Sequence, residues 1–126
     1  MSETVLNDNA FLVSETNEKG IITFVNDEFC KVAGYSREEL IGQAHNLVRH
    51  KEMPKAAFED LWKTVKEGNV WQGYVKNSTK SGGFYWVYAT VYPYLNENKQ
   101  ICYMSCRRKF EKSKLPEIED LYRAMR

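Results

Sequence analysis

The last third of this chain constrains its fold most, because three runs of β-branched and aromatic residues follow one another there with only short turns between them. The runs are Trp71 to Lys76, Phe84 to Tyr92 and Gln100 to Arg107. Ser81-Gly82-Gly83 and Asn96-Glu97-Asn98-Lys99 supply the turns. A parallel pair needs a crossover connection of a dozen residues or more, and neither gap has room for one. The three segments must therefore pair antiparallel. Pro93, which has no N–H to give a ladder, marks the expected end of the middle strand.

A second hairpin is written upstream in the same way. Phe11 to Thr16 and Ile21 to Val25 flank Asn17-Glu18-Lys19-Gly20, whose residue types suit a turn. Asn26 then caps a short helix, with Asp27 and Glu28 at the positive end of its dipole. That helix runs through Ala33 and stops at Gly34. Ser36-Arg37-Glu38-Glu39 is a capping box that opens another short helix, ending at Gly42. Residues 43–53 carry no period and are expected to be irregular. Pro54 opens a longer helix in which Phe58, Leu61, Trp62 and Val65 form one apolar face, and Gly68-Asn69 ends it. Leu115, Ile118, Leu121, Tyr122 and Met125 repeat the helical period in the tail, and Pro116 suits its first turn.

Strands, grouped helices, three more strands and a last helix make an α+β domain. Its expected form is one five-stranded antiparallel sheet with helices on one face plus a C-terminal helix. The expected organisation is a flexible cap over 1–10, a folded core over 11–110, and a C-terminal helix or linker to an output module over 111–126. The helical tail running to Arg126 suggests that more chain follows. Helices do not cover such a sheet completely, which leaves room for a ligand cleft beneath the longest of them.

With 126 residues the chain can bury one core, and a formal net charge of +1 gives no electrostatic reason to bind nucleic acid or an acidic membrane surface. Cys30, Cys102 and Cys106 are odd in number and lack metal-ligand spacing, so a reducing, cytoplasmic setting is the simplest reading. The polar N-terminus does not resemble a signal peptide, and no apolar run has the ~18–20 residues needed to span a bilayer. No Ser/His/Asp arrangement, metal cluster or phosphate loop points to an enzyme.

Gly20-Ile21-Ile22-Thr23-Phe24-Val25-Asn26, then Phe29, Ala33-Gly34-Tyr35-Ser36 and Glu39-Leu40-Ile41-Gly42, resemble the N-terminal pattern of PAS domains. Lys80-Ser81-Gly82-Gly83-Phe84-Tyr85-Trp86-Val87 resembles the start of their C-terminal hairpin. The resemblance covers roughly Phe11 to Lys109. A narrower likeness rests on the stretch from Gly42 to His50, on Met53 to Phe58, and on Leu61-Trp62, Trp71-Gln72-Gly73 and Val75-Lys76-Asn77. These are similar to the PAS domain of bacterial aerotaxis receptors and to short cytoplasmic PAS proteins of two-part energy-taxis systems. Lys51-Glu52 stand where that family carries Pro-Asp, and Ser78-Thr79 replace its basic pair. The resemblance implies a non-enzymatic sensor of redox or oxygen state that binds FAD without a covalent bond. It implies as partner a chemotaxis receptor signalling module or a neighbouring domain, met by protein contact, with a homodimer as a further option.

The same resemblance assigns the site. Arg49, His50 and Asn46 would bind the cofactor, the Arg49 guanidinium offering a pyrophosphate a bidentate grip; for Arg49-His50 a solvated loop pair is the plainer reading. Phe58, Leu61, Trp62 and Val65 would wall the isoalloxazine ring or simply fill the core, and a pocket cut into the core makes both true. Trp71 would stack on a ring or pack against the sheet. Asn77 would read a ring edge with its amide or serve the turn. By the same comparison Val87, Ala89 and Val91 point inward, while Trp86, Tyr88 and Tyr92 form an aromatic outer face suited to a protein partner. His45 stands where light-sensing flavin domains keep a reactive cysteine, so no photo-adduct is expected. Two alternatives remain: a haem-binding gas sensor using His45 or His50 as ligand, and a cofactor-free dimerisation module.

Overall fold

The structure, a computed structural model, describes residues 3–125. Strands β1 (Phe11–Asn17) and β2 (Ile22–Val25) form the first hairpin. Helices α1 (Asp27–Ala33) and α2 (Arg37–Leu40), a 3-10 turn (His45–Val48) and helix α3 (Lys55–Lys66) follow. Strands β3 (Trp71–Ser78), β4 (Phe84–Leu95) and β5 (Ile101–Arg108) then lead into helix α4 (Leu115–Met125). All five strands join one antiparallel sheet in the order β2-β1-β5-β4-β3, so β5 is the central strand. No helix among the described residues is long and apolar enough to cross a membrane.

Local sequence chemistry sets the helix starts. The Asn26 carboxamide accepts the Phe29 N–H at 3.0 Å and the Val13 N–H at 3.1 Å, which ties the start of α1 to β1. At α2, Ser36 and Glu39 satisfy each other's backbone N–H groups reciprocally. The stretch expected to be irregular contains the 3-10 turn, and two backbone pairings seat it: Ile21 with Ala44, and Arg49 with Asn77. Strand β4 runs past Pro93 to Leu95. Strand β3 pairs no further than Trp71 with Val91, so Pro93 lies where β4 has lost one of its two neighbours.

Alternation along the strands separates two faces. Leu12, Ser14 and Thr16 of β1, Tyr103, Ser105 and Arg107 of β5, and Tyr85, Val87, Ala89 and Val91 of β4 are all buried on the inner face, under α1 to α3. The outer face departs from expectation. Trp86 does point outward, but it is buried, because α4 lies back across this face. The Tyr122 ring stacks on Trp86 at 6.3 Å and 20°, and its hydroxyl donates to the Tyr74 carbonyl. Tyr74 in turn meets Tyr88 and Phe110 edge to face. Only Tyr92 of the three outer aromatics is exposed. The aromatic surface read as a site for another protein is therefore occupied largely by the chain's own last helix.

Of the stretch 1–10 expected as a flexible cap, residues 1–2 lie outside the described residues, and the rest touches the core at two points. Leu6 and Ala10 are buried, and the Thr4 N–H donates to the Phe84 carbonyl at 2.8 Å. The physical reason is the apolar Leu6 and Ala10 themselves, which find core to join.

Candidate functional site

A cavity of about 630 Å³ opens between the inner sheet face and α3. Phe58, Leu61 and Trp62 of α3 form one wall, because their helical spacing puts them on one side. Val75, Ala89 and Val91 form the opposite, apolar floor. Ala44, Asn46 and Arg49 close one edge, and Glu18, Lys19 and Gly20 of the first turn close another. Gly20 has φ +81, and a Cβ there would lie 3.3 Å from the Trp62 ring, so glycine both makes the turn and leaves the cavity wall its space. Arg49 and Lys66 bring positive charge to the lining, with the Arg49 guanidinium 4.5 Å above the Phe58 ring.

The inner end of the cavity is polar. Arg107, on the central strand, is buried yet ion-pairs with no carboxylate among the described residues. It donates to Ser14 Oγ at 3.0 Å and to His45 Nε2 at 2.9 Å, and it lies 5.3 Å over the Phe29 ring. Because a guanidinium only donates, Nε2 must be the acceptor, which leaves the His45 ring proton on Nδ1. Burial, and then the Arg107 charge, push the His45 pKa down to about 3, so the imidazole is neutral. Burial also pushes the Arg107 pKa down to about 10, which leaves it charged at neutral pH. The Asn77 amide donates over 3.4 Å to the phenol of Tyr85. Two buried hydroxyls on the lining, Thr16 Oγ1 and Ser105 Oγ, have no hydrogen-bond partner among the described residues. Buried polar atoms are seldom left so, and a pair of them on one cavity marks a place for a polar ligand edge.

Comparison with known proteins places this architecture. Residues 22–108 match the sequence profile of the PAS fold. The chain belongs to the PAS family. This PAS domain is 46% identical to the aerotaxis receptor of Escherichia coli over 97% of its length, and it spans 24% of that receptor. It is 28% identical over 78% of its length to a nitrogen fixation regulatory protein of Klebsiella pneumoniae, of which it spans 20%. Among solved structures, a light-oxygen-voltage domain studied with a flavin analogue superposes with a TM-score of 0.72 over 87% of both chains, at 17% identity. That likeness is one of fold.

The PAS domain brings seven of the sequence-assigned residues to the cavity: Asn46, Arg49, Phe58, Leu61, Trp62, Asn77 and Ala89. Four others lie off its wall. His50 is buried behind it, edge-on to Phe84 at 6.2 Å, and its Nδ1 accepts the Glu52 N–H at 3.0 Å, so it braces the loop. Val65 and Val87 are fully enclosed in the core. Trp71 lies along its own strand across Gly73, where a Cβ would come within 2.5 Å of its ring, and its Nε1 donates to Asp60 at 2.9 Å. It is held as a packing residue and does not face the cavity. Glu52 pairs with Lys76, away from the cavity. The haem reading loses support here, since the Nε2 of His45 is already engaged and His50 does not reach the space. Sequence reasoning missed Arg107, Ser14, Thr16 and Ser105. The signal was available for Arg107: it shares strand parity with the inward Tyr103, which puts a charge on the buried face.

Proposed function

We propose that this PAS domain is a non-covalent FAD-binding sensor of redox or oxygen state that signals to a chemotaxis transducer by protein contact. One observation carries the reading: an apolar slot of about 630 Å³ that contains two unpartnered buried hydroxyls and has Arg49 on its edge. A flat, mostly apolar ring with a few carbonyl and N–H groups suits that lining, and Phe58 and Trp62 offer it aromatic surface. Arg49 is available to a pyrophosphate as a bidentate donor, with Lys66 as a second positive charge. The 46% identity to a protein named for aerotaxis supports the kind of output.

When bound, FAD supplies reversible electron uptake. The protein's own residues orient the ring and carry the change outward. Asn77 sits on the inner face of β3, and its neighbour Lys76 lies on the outer face opposite Trp86. The same strand holds α4 through the Tyr74 carbonyl. A change in the hydrogen bonding of Asn77 therefore acts on the strand that anchors α4, which makes α4 and the Trp86 surface the outlet.

The test is an absorption spectrum of the purified chain, with the mass of any chromophore released on denaturation. A flavin spectrum with FAD released supports the reading. A Soret band replaces it with haem, and a colourless protein that refuses added FAD overturns it.

A further inference from the structure

We propose that Arg107 selects the charge of the bound ligand: its guanidinium, buried without a carboxylate partner, favours the ligand state that is anionic at the inner end of the cavity. The inference rests on the flavin reading above. Arg107 lines the cavity from the central strand, and its two hydrogen bonds go to Ser14 Oγ and His45 Nε2, both neutral acceptors. Its stacking partner, Phe29, is neutral as well. Among the described residues the one carboxylate on the cavity lining, Glu18, is exposed in the first turn and makes no ion pair with Arg107. A buried charge without an opposite charge is strongly disfavoured, and desolvation makes any later partner count for more. Thr16 Oγ1 and Ser105 Oγ add an independent sign that the inner end awaits polar ligand atoms. Both are buried, unpartnered and on the same lining, Ser105 two residues from Arg107 on β5 and Thr16 on the adjoining β1.

For a flavin this has a definite consequence. Uptake of two electrons with one proton forms one ring N–H bond and leaves the ring with a negative charge. Uptake of two electrons with two protons leaves it neutral. Arg107 stabilises the first product, so the second proton is held off until a lower pH. The groups facing Arg107 are Ser14 from β1, His45 from the 3-10 turn, Tyr85 from β4 and the Phe29 ring from α1, while Cys106, next to it on β5, points to the other face of the sheet. Glu18, Lys19, Arg49 and Lys66 are the other charged residues on the lining. His45 does not compete for the proton, because burial and the guanidinium hold its pKa down at about 3.

The test is a dithionite titration of the FAD-loaded chain at a series of pH values, with free FAD measured alongside. The two-electron midpoint falls by about 30 mV per pH unit when one proton is taken up and by about 59 mV when two are. The break between these slopes should lie at least about one pH unit below that of free FAD, a tenfold weaker hold on the second proton. Arg107→Met should bring the break up to the free value or beyond, and Arg107→Lys should keep it low. A break at or above that of free FAD in the wild-type protein overturns the proposal even if Arg107→Met does not fold, and so does a break that Arg107→Met leaves in place. Failure to take up FAD at all would refute the flavin reading itself, a separate result.

Discussion

Truncating Tyr122 should release α4 while the sheet stays folded. The helix has 11 residues, and an isolated helix shorter than about 12–15 residues is marginal in water, so α4 depends on docking. Its buried contacts are Ile118 and Tyr122, and Tyr122 makes both the Trp86 stack and the bond to the Tyr74 carbonyl. Removing the hydroxyl alone, in Tyr122→Phe, should cost about 1 kcal/mol, since the carbonyl loses its donor while the ring stays stacked. Removing the ring, in Tyr122→Ala, should cost about 3 kcal/mol, the low end for a buried aromatic because this site lies at the edge of the molecule. At about 1.4 kcal/mol per factor of ten, the undocked population rises about fivefold in the first variant and more than a hundredfold in the second. Amide hydrogen exchange resolved by segment measures this directly. Amides of α4 should lose protection in that ratio, while those of β1 and β5, on the central part of the sheet, change little. Equal losses in the two variants would refute the role given to the ring. Loss of protection throughout the sheet would refute the independence of α4, and with it the idea that α4 can move as an outlet.

Other consequences can be checked more briefly. Gly73→Ala should destabilise the fold by about 2 kcal/mol, because the new Cβ meets the Trp71 ring at 2.5 Å and that ring is held by its bond to Asp60; urea denaturation would reveal it, and shortening the obstacle in a Trp71→Leu background should remove most of the effect. Arg49→Ala should weaken FAD binding at least tenfold with little change in melting temperature, since the residue is exposed and a hydrogen bond to a charged group contributes about 1.5–3 kcal/mol; unchanged affinity by fluorescence titration removes Arg49 from the site. His45 is held neutral in the folded protein with its pKa at about 3, below its ordinary unfolded value, so the unfolded chain binds the extra proton first as pH falls. Stability should therefore decline from about pH 6.5 downward towards about pH 3, by at most about 1.4 kcal/mol per pH unit from this residue. His45→Gln, which can still accept from Arg107, should flatten that acid limb, and an unchanged slope would show that other groups govern it.

What could be read from the sequence follows from how locally each feature is encoded. The caps at Asn26 and Ser36, the turns around Gly20 and Gly82, and the apolar spacing of Phe58, Leu61 and Trp62 each involve residues a few positions apart, and the folded chain uses them as written. Trp71, Val65 and Val87 lay beyond that reach. Their types fit a ligand wall and a core equally well, and only three-dimensional packing decides, as when Trp71 lies down over Gly73. The outer face shows the same limit, because nothing near Trp86 announces that a helix more than 30 residues later will cover it. The polar end of the cavity is the extreme case. Ser14, His45 and Arg107 are separated by 31, 62 and 93 positions, and they meet only because β5 is laid between β1 and β4. Yet an alternating strand gives each residue a face before any partner is known. Along β5 the parity that buries Tyr103 also buries Ser105 and Arg107. A charge on the buried parity of a central strand requires a compensating group, and where the chain provides no carboxylate the ligand is left to supply it.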